Sequence, residues 1–541
     1  MSSASAIFQI VDLVDLICDH ATIRGYQDTL VNQSWFASFA RINKICATPA
    51  LQVLWRNIYG YNKIMSLVRV ASDNKIHSRT TRVNAKTDAG YERFFFYTDM
   101  IQSLRPYEYG ENFREWVELL GQIKARHPTR TLFASLRHVS VHNSYISEAG
   151  SGNYGWLMGI NAAQITDIAI LDINETMVAQ LISLVARFTN LESLVIMPTL
   201  QWKRNGEPLI KALPKLKKLV LHPHSNHLPG ILASIPACPQ LDALDIWLTH
   251  ITWKISSEIE TPQSTSLAHR SSEERMLNLK LTNSTLELVP ELLSHLTPRH
   301  IRYTTLELLL PSSMTGPHLS VTGVVDPTSG IFRTAIESIS VECPLLTSLT
   351  IISEAPFASR LPSRKACGAD TLKSLSTLGR LRKINLRMNF LQVVTQSLLD
   401  SFAESLPNLE YCYLSPLVNG MEEDYSRVYS LDGTAGIPSS GWVSIDNVAK
   451  FTSKLPHLRI LGLTLGNLSV GSPEEHWPSS TTLKVLDIGS TDAEKEREFR
   501  SYISVAFPYL DSLFLEPWYV PPPIKPDIQL SMPREQSPIW F

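Results

Sequence analysis

The stretch LPKLKKLVL, residues 213–221, decides how this chain is read. Its large apolar residues, Leu216, Leu219 and Leu221, stand at positions 4, 7 and 9 of a nine-residue frame. Positions 6, 8 and 10 alternate with them. An extended segment therefore points 7 and 9 to one side and 6, 8 and 10 to the other. The frame also fits FASLRHVSV (133–141), AAQITDIAI (162–170), FTNLESLVI (188–196), CPQLDALDI (238–246) and EERMLNLKL (273–281). Further on it fits CPLLTSLTI (343–351), LGRLRKINL (378–386), LPNLEYCYL (406–414), LPHLRILGL (455–463), STTLKVLDI (480–488) and FPYLDSLFL (507–515). PRHIRYTTL (298–306) reads as a degraded copy in the widest gap. Only 9 of the 71 leucines fall in the first 130 residues, so that part of the chain obeys a different rule.

An LxxLxL core returning about every 20–29 residues is the signature of a leucine-rich repeat. A single strand cannot bury its apolar side alone, but stacked copies share one continuous core. The spacing predicts an α/β solenoid, a leucine-rich-repeat array of about twelve or thirteen copies with a parallel inner sheet. Pro214, Pro239, Pro344, Pro407, Pro456 and Pro508 occupy position 2, where proline ends a preceding helix and opens the turn into the strand. The segment 394–409, VTQSLLDSFAESLPNL, repeats its apolar residues at helical spacing. Stretches rich in Ser, Pro and Gly at 261–274, 311–330, 353–370 and 418–441 read as inserted loops. The expected organisation is a helical module at 1–60, a helical linker or N-terminal cap at 61–130, the array at 131–516 and a Pro-rich tail or cap at 517–541.

The N-terminal module shows helical rather than alternating periodicity. Ile10, Leu13, Val14 and Ile17 form one stripe, flanked by Asp12, Asp15 and Asp19. Val31, Trp35 and Phe39 form a second. Thr48 and Pro49 read as a cap and a first helical residue ahead of Leu51, Leu54, Trp55 and Ile58. Three short helices bury little surface and gain by docking on something. In order and spacing, IVDLVDLIC (10–18), VNQSW (31–35) and ALQVLWRNI (50–58) resemble the F-box, with Ile7 and Phe8 standing where that family has Leu-Pro. ERFFFYTDMIQSL (92–104) is similar to the stretch that follows the F-box in large fungal F-box families. The resemblance implies a small three-helix F-box-like module ahead of the repeats. It implies docking on the adaptor subunit of a cullin-type ubiquitin ligase through Ile10, Leu13, Ile17, Val31 and Trp35. A helical cap on the array is the alternative reading of the same residues.

Lys plus Arg number 49 and Asp plus Glu 51, a net charge of −2, which argues against a nucleic-acid or anionic-membrane partner. No run reaches the ~18 apolar residues of a membrane span. The acidic N-terminus lacks the basic region of a secretory signal, and the six cysteines are scattered. Cytoplasmic or nuclear residence is expected. The motif GSGNYG (150–155) places Gly150, Gly152 and Gly155 in GxGxxG spacing, but NSYISEA separates it from the preceding strand. A dinucleotide site needs that glycine directly after the strand, so a loop is the preferred reading and a dinucleotide-binding enzyme the lesser one. The three imidazoles of HPHSNH (222–227) could hold zinc with an open fourth position, but with no acidic or Cys partner nearby a metal-free loop is the preferred reading, and Glu422, Glu423 and Asp424 lack the alternating oxygen ligands of a calcium site. Neither a metal nor a cofactor is expected, and no catalytic residue.

Outward positions 6, 8 and 10 carry His138, Ser140 and His142, then Lys218, Val220 and His222, then Ala243, Asp245 and Trp247. Later strands present Lys383, Asn385 and Arg387, then Tyr411, Tyr413 and Ser415, then Val485 and Asp487, and lastly Ser512 and Phe514. Trp, Tyr and Arg dominate binding hot spots. Trp247, Lys383, Arg387, Tyr413 and Phe514 are therefore the candidate target-binding residues. The expected function is that of a non-catalytic substrate-receptor subunit of a ubiquitin ligase. The alternative is a leucine-rich-repeat interaction scaffold with no ligase role.

Overall fold

The computed structural model describes residues 36–41, 44–69, 88–105, 111–142, 157, 160–173, 182–183, 185–198, 213, 215–221, 235, 238–247, 275–282, 289–296, 301–310, 330–353, 369–387, 394–415, 443, 445–463, 480–488 and 502–514. The chain divides into two compact units, one of residues 1–283 with 298–301 and the other of 284–297 with 302–541.

The first unit carries a parallel ladder in chain order, from β1 (Asn57–Tyr59) and β2 (Ser103–Arg105) to β3 (His138–His142) and β4 (Asp167–Ile173). It continues through β5 (Ser193–Pro198), β6 (Lys218–Leu221), β7 (Ala243–Trp247) and β8 (Arg275–Thr282). Position 7 pairs with position 7 throughout: Val139 with Ile168, Leu194 with Leu219, Leu219 with Leu244, and Leu244 with Leu279. The backbone repeats too. The Lys217 carbonyl, at position 5, accepts from the Asp242 and Ala243 amides at 2.7 and 3.0 Å, and Glu192 does the same for Lys217 and Lys218 at 2.8 and 2.9 Å.

The second unit holds β9 (Ile301–Leu310) from its second residue on, then β10 (Ser348–Ser353), β11 (Lys383–Arg387), β12 (Tyr411–Ser415), β13 (Ile460–Leu463), β14 (Val485–Asp487) and β15 (Ser512–Phe514), again parallel and in order. Fifteen strands are thus described, against the twelve or thirteen repeats expected. The inward set is buried as its parity requires: Leu219, Leu461 and Leu486 are 0% exposed and Leu244 1%.

Helices precede several strands. In the first unit these are α1 (Lys44–Arg56), α2 (Asn62–Arg69), α3 (Asp88–Thr98) and α4 (Glu111–Arg126). In the second they are α5 (Val289–Leu296), α6 (Gly330–Glu342), α7 (Gln396–Ser405) and α8 (Ile445–Ser453), with a 3-10 segment at Ala369–Thr377. The α5, α6, 3-10, α7 and α8 segments pack successively side by side. Thr395 caps α7 by accepting from the Leu398 amide, and Leu398, Leu399, Phe402 and Ala403 are buried beneath it.

Four readings are corrected. The ladder begins at β1 and β2, inside the segments assigned to the helical module and the linker. Ile101 and Leu104, both 0% exposed, are positions 4 and 7 of a repeat hidden in the phenylalanine-rich stretch. The degraded copy is shifted by two residues: Leu306, not Thr304, pairs with Leu349, so its frame is HIRYTTLEL (300–308) with buried Tyr303 at position 4. Met276, expected inward at position 4, is 45% exposed, and neighbouring Leu277 is buried in its stead. Pro49 lies within α1 rather than at its first residue, so Thr48 is not its cap.

At the start of the ladder, Gly60 has φ 87°, and its amide donates to the Arg105 carbonyl at 3.0 Å. A side chain would be strained in that left-handed conformation. Tyr61 stacks on Trp116 with centroids 4.7 Å apart. Phe133, at φ 55°, is also left-handed and is held by Phe94 and Trp116 around it. A non-glycine residue there costs about 1–3 kcal/mol, offset by complete burial of the ring.

Position 1 of the frame is a further core position. Phe188, Leu213, Cys238, Cys343, Leu378, Leu406, Leu455 and Phe507 occupy it, all buried. Among the described residues Cys238, Cys343 and Cys412 are not in disulfides. Burial pushes Cys343 and Cys412 up to about 12. The thiolate is the nucleophile, so these cysteines will resist alkylation in the native protein at pH 8 and react once it is unfolded in guanidinium. Per-site mass spectrometry after an iodoacetamide pulse checks this; fast native labelling of either residue would show that its strand is not in the core.

Candidate functional site

The richest constellation of outward side chains lies on β11 to β14 of the second unit. Register places Lys383 beside Tyr411, Asn385 beside Tyr413, and Arg387 beside Ser415. On the next strands, Tyr413 lies beside Gly462 and Gly462 beside Asp487. These residues are outward because they alternate with Ile384, Leu386, Cys412, Leu414, Leu461 and Leu486, all buried.

Their contacts run sideways across the strands. Arg387 lies over the Tyr413 ring, its Cζ 4.4 Å from the centroid. Its Nε donates to Asn385 Oδ1 at 3.1 Å and its Nη2 to the Tyr411 hydroxyl at 3.5 Å. Lys383 Nζ sits 5.3 Å from the Tyr411 ring centroid, and the two tyrosine rings stack 6.2 Å apart. The Tyr413 hydroxyl donates to Asp487 Oδ2, reaching across β13 to do so.

Gly462 makes that reach possible. A Cβ at this position would stand 2.3 Å from Tyr413 Cδ2 and 2.4 Å from Cε2, so the ring occupies the space a side chain would fill. A glycine inside a strand marks such a close approach. Burial, and then the Asp487 carboxylate, push the Tyr413 hydroxyl above its ordinary value, with Arg387 opposing. Tyr413 therefore stays protonated and acts as a donor.

Along the row at position 5, Lys217 pairs with Glu192 at 2.7 Å, Arg382 with Glu410 at 3.6 Å and Lys484 with Asp511 at 3.5 Å. These exposed pairs have little stabilising effect. In the first unit, His138 Nδ1 lies 2.7 Å from Asp167 Oδ2, and the Thr166 hydroxyl donates to the same oxygen at 2.6 Å. Burial raises the Asp167 carboxyl, but these partners outweigh it and hold the group below its ordinary value.

Of the five candidate target-binding residues, Lys383, Arg387 and Tyr413 are brought together. Trp247 is half-buried at the end of β7 and belongs to the first unit. Phe514 is the register neighbour of Asp487 on β15. Tyr411, Asn385 and Asp487 were legible as outward positions but not as members of one network. Gly462 carried a signal in the sequence, a glycine at position 8 of LPHLRILGL, next to a tyrosine at the same position one repeat earlier.

Ile10, Leu13, Ile17, Val31 and Trp35 lie outside the described residues, as do Gly150, Gly152 and Gly155, His222, His224 and His227, Glu422 to Asp424, and the tail. Among the described residues no group of His, Cys, Asp and Glu could hold a metal ion, and no helix is long and apolar enough to cross a membrane.

No protein-family model matches this chain, and no curated protein matches it. Among solved structures it is similar to the leucine-rich repeat-containing protein LegL7 from Legionella pneumophila, at 16% identity. The match covers 63% of this chain and 92% of that one, with a TM-score of 0.32. At that score the likeness carries no argument, and the repeat architecture rests on the ladder register itself.

Proposed function

We propose that the chain is a leucine-rich-repeat interaction scaffold that holds a partner protein on the strand face of β11 to β14. The observation that carries this reading is the Arg387–Tyr413–Asp487 network. Aromatic and guanidinium groups stand half-buried on an outward face, pre-organised by their own lateral contacts. Rigid anchors lose little entropy on binding, and Tyr and Arg are the side chains that most often dominate an interface.

A second reading adds a ligase role, with the N-terminal helices docking the adaptor subunit of a ubiquitin ligase. One observation supports it. Phe36 and Ala50 are buried together in a small cluster with Phe39, Ala40, Val53 and Leu54, so a compact helical core precedes the ladder. In that role the chain supplies proximity rather than chemistry, raising the local concentration of a target near the ubiquitin carrier.

One experiment separates the two. The full chain, Arg387→Ala with Tyr413→Ala, and Leu13→Asp with Ile17→Asp are each co-expressed with the adaptor and purified with bound partners. The face variant is expected to lose the partner and the helix variant to lose the adaptor, because charge in an apolar contact is costly. A folded wild-type chain that never holds the adaptor would end the ligase reading. Full partner retention by the face variant would end the scaffold reading at this face.

A further inference from the structure

Lys383 and Arg387 differ from the paired cations of the neighbouring position-5 row. Arg382 and Lys484, on the position-5 row, each face a carboxylate across one repeat. Lys383 and Arg387 instead lie over the tyrosine rings of β12, at 5.3 and 4.4 Å, and neither pairs with a carboxylate among the described residues. The Arg387 fork uses Nε on Asn385 and one Nη2 hydrogen on Tyr411, which leaves the Nη1 hydrogens and the second Nη2 hydrogen to be taken. Asp487, on the same face, already accepts from Tyr413. Half-buried cations in such a setting gain charge-assisted hydrogen bonds from an incoming counter-charge, offset in part by the cost of desolvating it.

We infer that this patch binds an extended acidic segment of a partner protein, with Asp or Glu at alternate positions, one carboxylate to each cation. The inference rests on the reading of this face as an interaction surface. The two tyrosine rings under the cations are 6.2 Å apart. Alternate residues of an extended chain recur about every 6.6 Å on one side, so a segment running along β12 sets alternate side chains over successive rings and the cations that cover them. The guanidinium fork takes a carboxylate through two parallel hydrogen bonds, and the ring faces receive the apolar stem of the incoming side chain. A nucleic-acid backbone fits less well. It carries a charge at every residue, and Glu307 and Asp487 hold outward positions in the same unit, whereas a segment acidic at only two positions can set both charges on the two cations.

The test pans a phage-displayed random dodecapeptide library on the purified full chain, at low and at high salt. Enriched sequences are expected to carry Asp or Glu at i and i+2 and to lose retention at high salt. The best synthetic peptide is expected to bind about tenfold or more weakly to the Lys383→Gln, Arg387→Gln variant, with an unchanged thermal melt. The sequence preference and salt dependence are read on the wild-type chain and need no variant to fold. Acidic peptides that bind the double variant equally well would overturn the inference. So would enrichment of neutral or apolar sequences; if Tyr411→Ala abolished their binding, the face would remain an interaction surface. Failure of the wild-type chain to enrich any sequence would overturn both readings.

Discussion

Replacing Leu349 with Ala is expected to destabilise the second unit by about 2–5 kcal/mol, the range for a buried leucine whose cavity cannot collapse. Leu349 is 0% exposed and stands at position 7 of β10, with Leu306 and Ile384 as its register neighbours on either side. Its loss therefore weakens two repeat interfaces at once, since each repeat of such an array is held by its neighbours. Ser348→Ala is the internal control. Ser348 is the outward residue beside it, and surface changes of this kind usually stay within ~0.5 kcal/mol. Urea midpoints of the two variants and the parent, followed by circular dichroism, make the comparison. Equal shifts for Leu349→Ala and Ser348→Ala would refute the assignment of inward and outward positions by parity.

Gly462→Val is expected to cost about 1–3 kcal/mol, the usual penalty for forcing atoms into occupied space. The added Cβ would overlap the Tyr413 ring, whose Cγ, Cδ2 and Cε2 all lie within 2.8 Å of it. The ring cannot simply swing clear, because Asp487 holds its hydroxyl and Arg387 covers its face. Moving it breaks both contacts, so partner binding should fall with stability. A double-mutant cycle isolates the cause. In a Tyr413→Ala background the clash is gone, and valine suits a strand better than glycine does, so Gly462→Val should then be neutral or favourable. An equal penalty in both backgrounds would mean that the glycine serves its own backbone and not the ring.

The sequence alone determined the repeat. Positions 4, 7 and 9 recur from Leu136 onward, and only a stacked parallel ladder buries them all. Alternation also assigned the outward residues, because a period of two leaves no choice of side once one residue is placed. The same symmetry set a limit. Sliding HIRYTTLEL by two residues keeps every side chain on its own side, so alternation alone could not choose between frames; Thr304 at position 7 was the weak point of the first frame, and the pairing of Leu306 with Leu349 fixes the second. β1 and β2 were hidden for another reason. Each is only three residues long, and aromatic helical stretches surround them, so their membership is visible only as hydrogen bonds: the Gln102 amide donates to the Arg56 carbonyl, and the Arg137 and His138 amides to the Gln102 carbonyl. The network on the strand face depended wholly on tertiary structure. Tyr413 and Asp487 are 74 residues apart and two strands apart in the ladder. They meet because the strand between them offers Gly462, which has no side chain to keep them apart. A sequence pattern records which way a side chain points; which neighbour it reaches depends on the length of that side chain and on the space left by the strand in between.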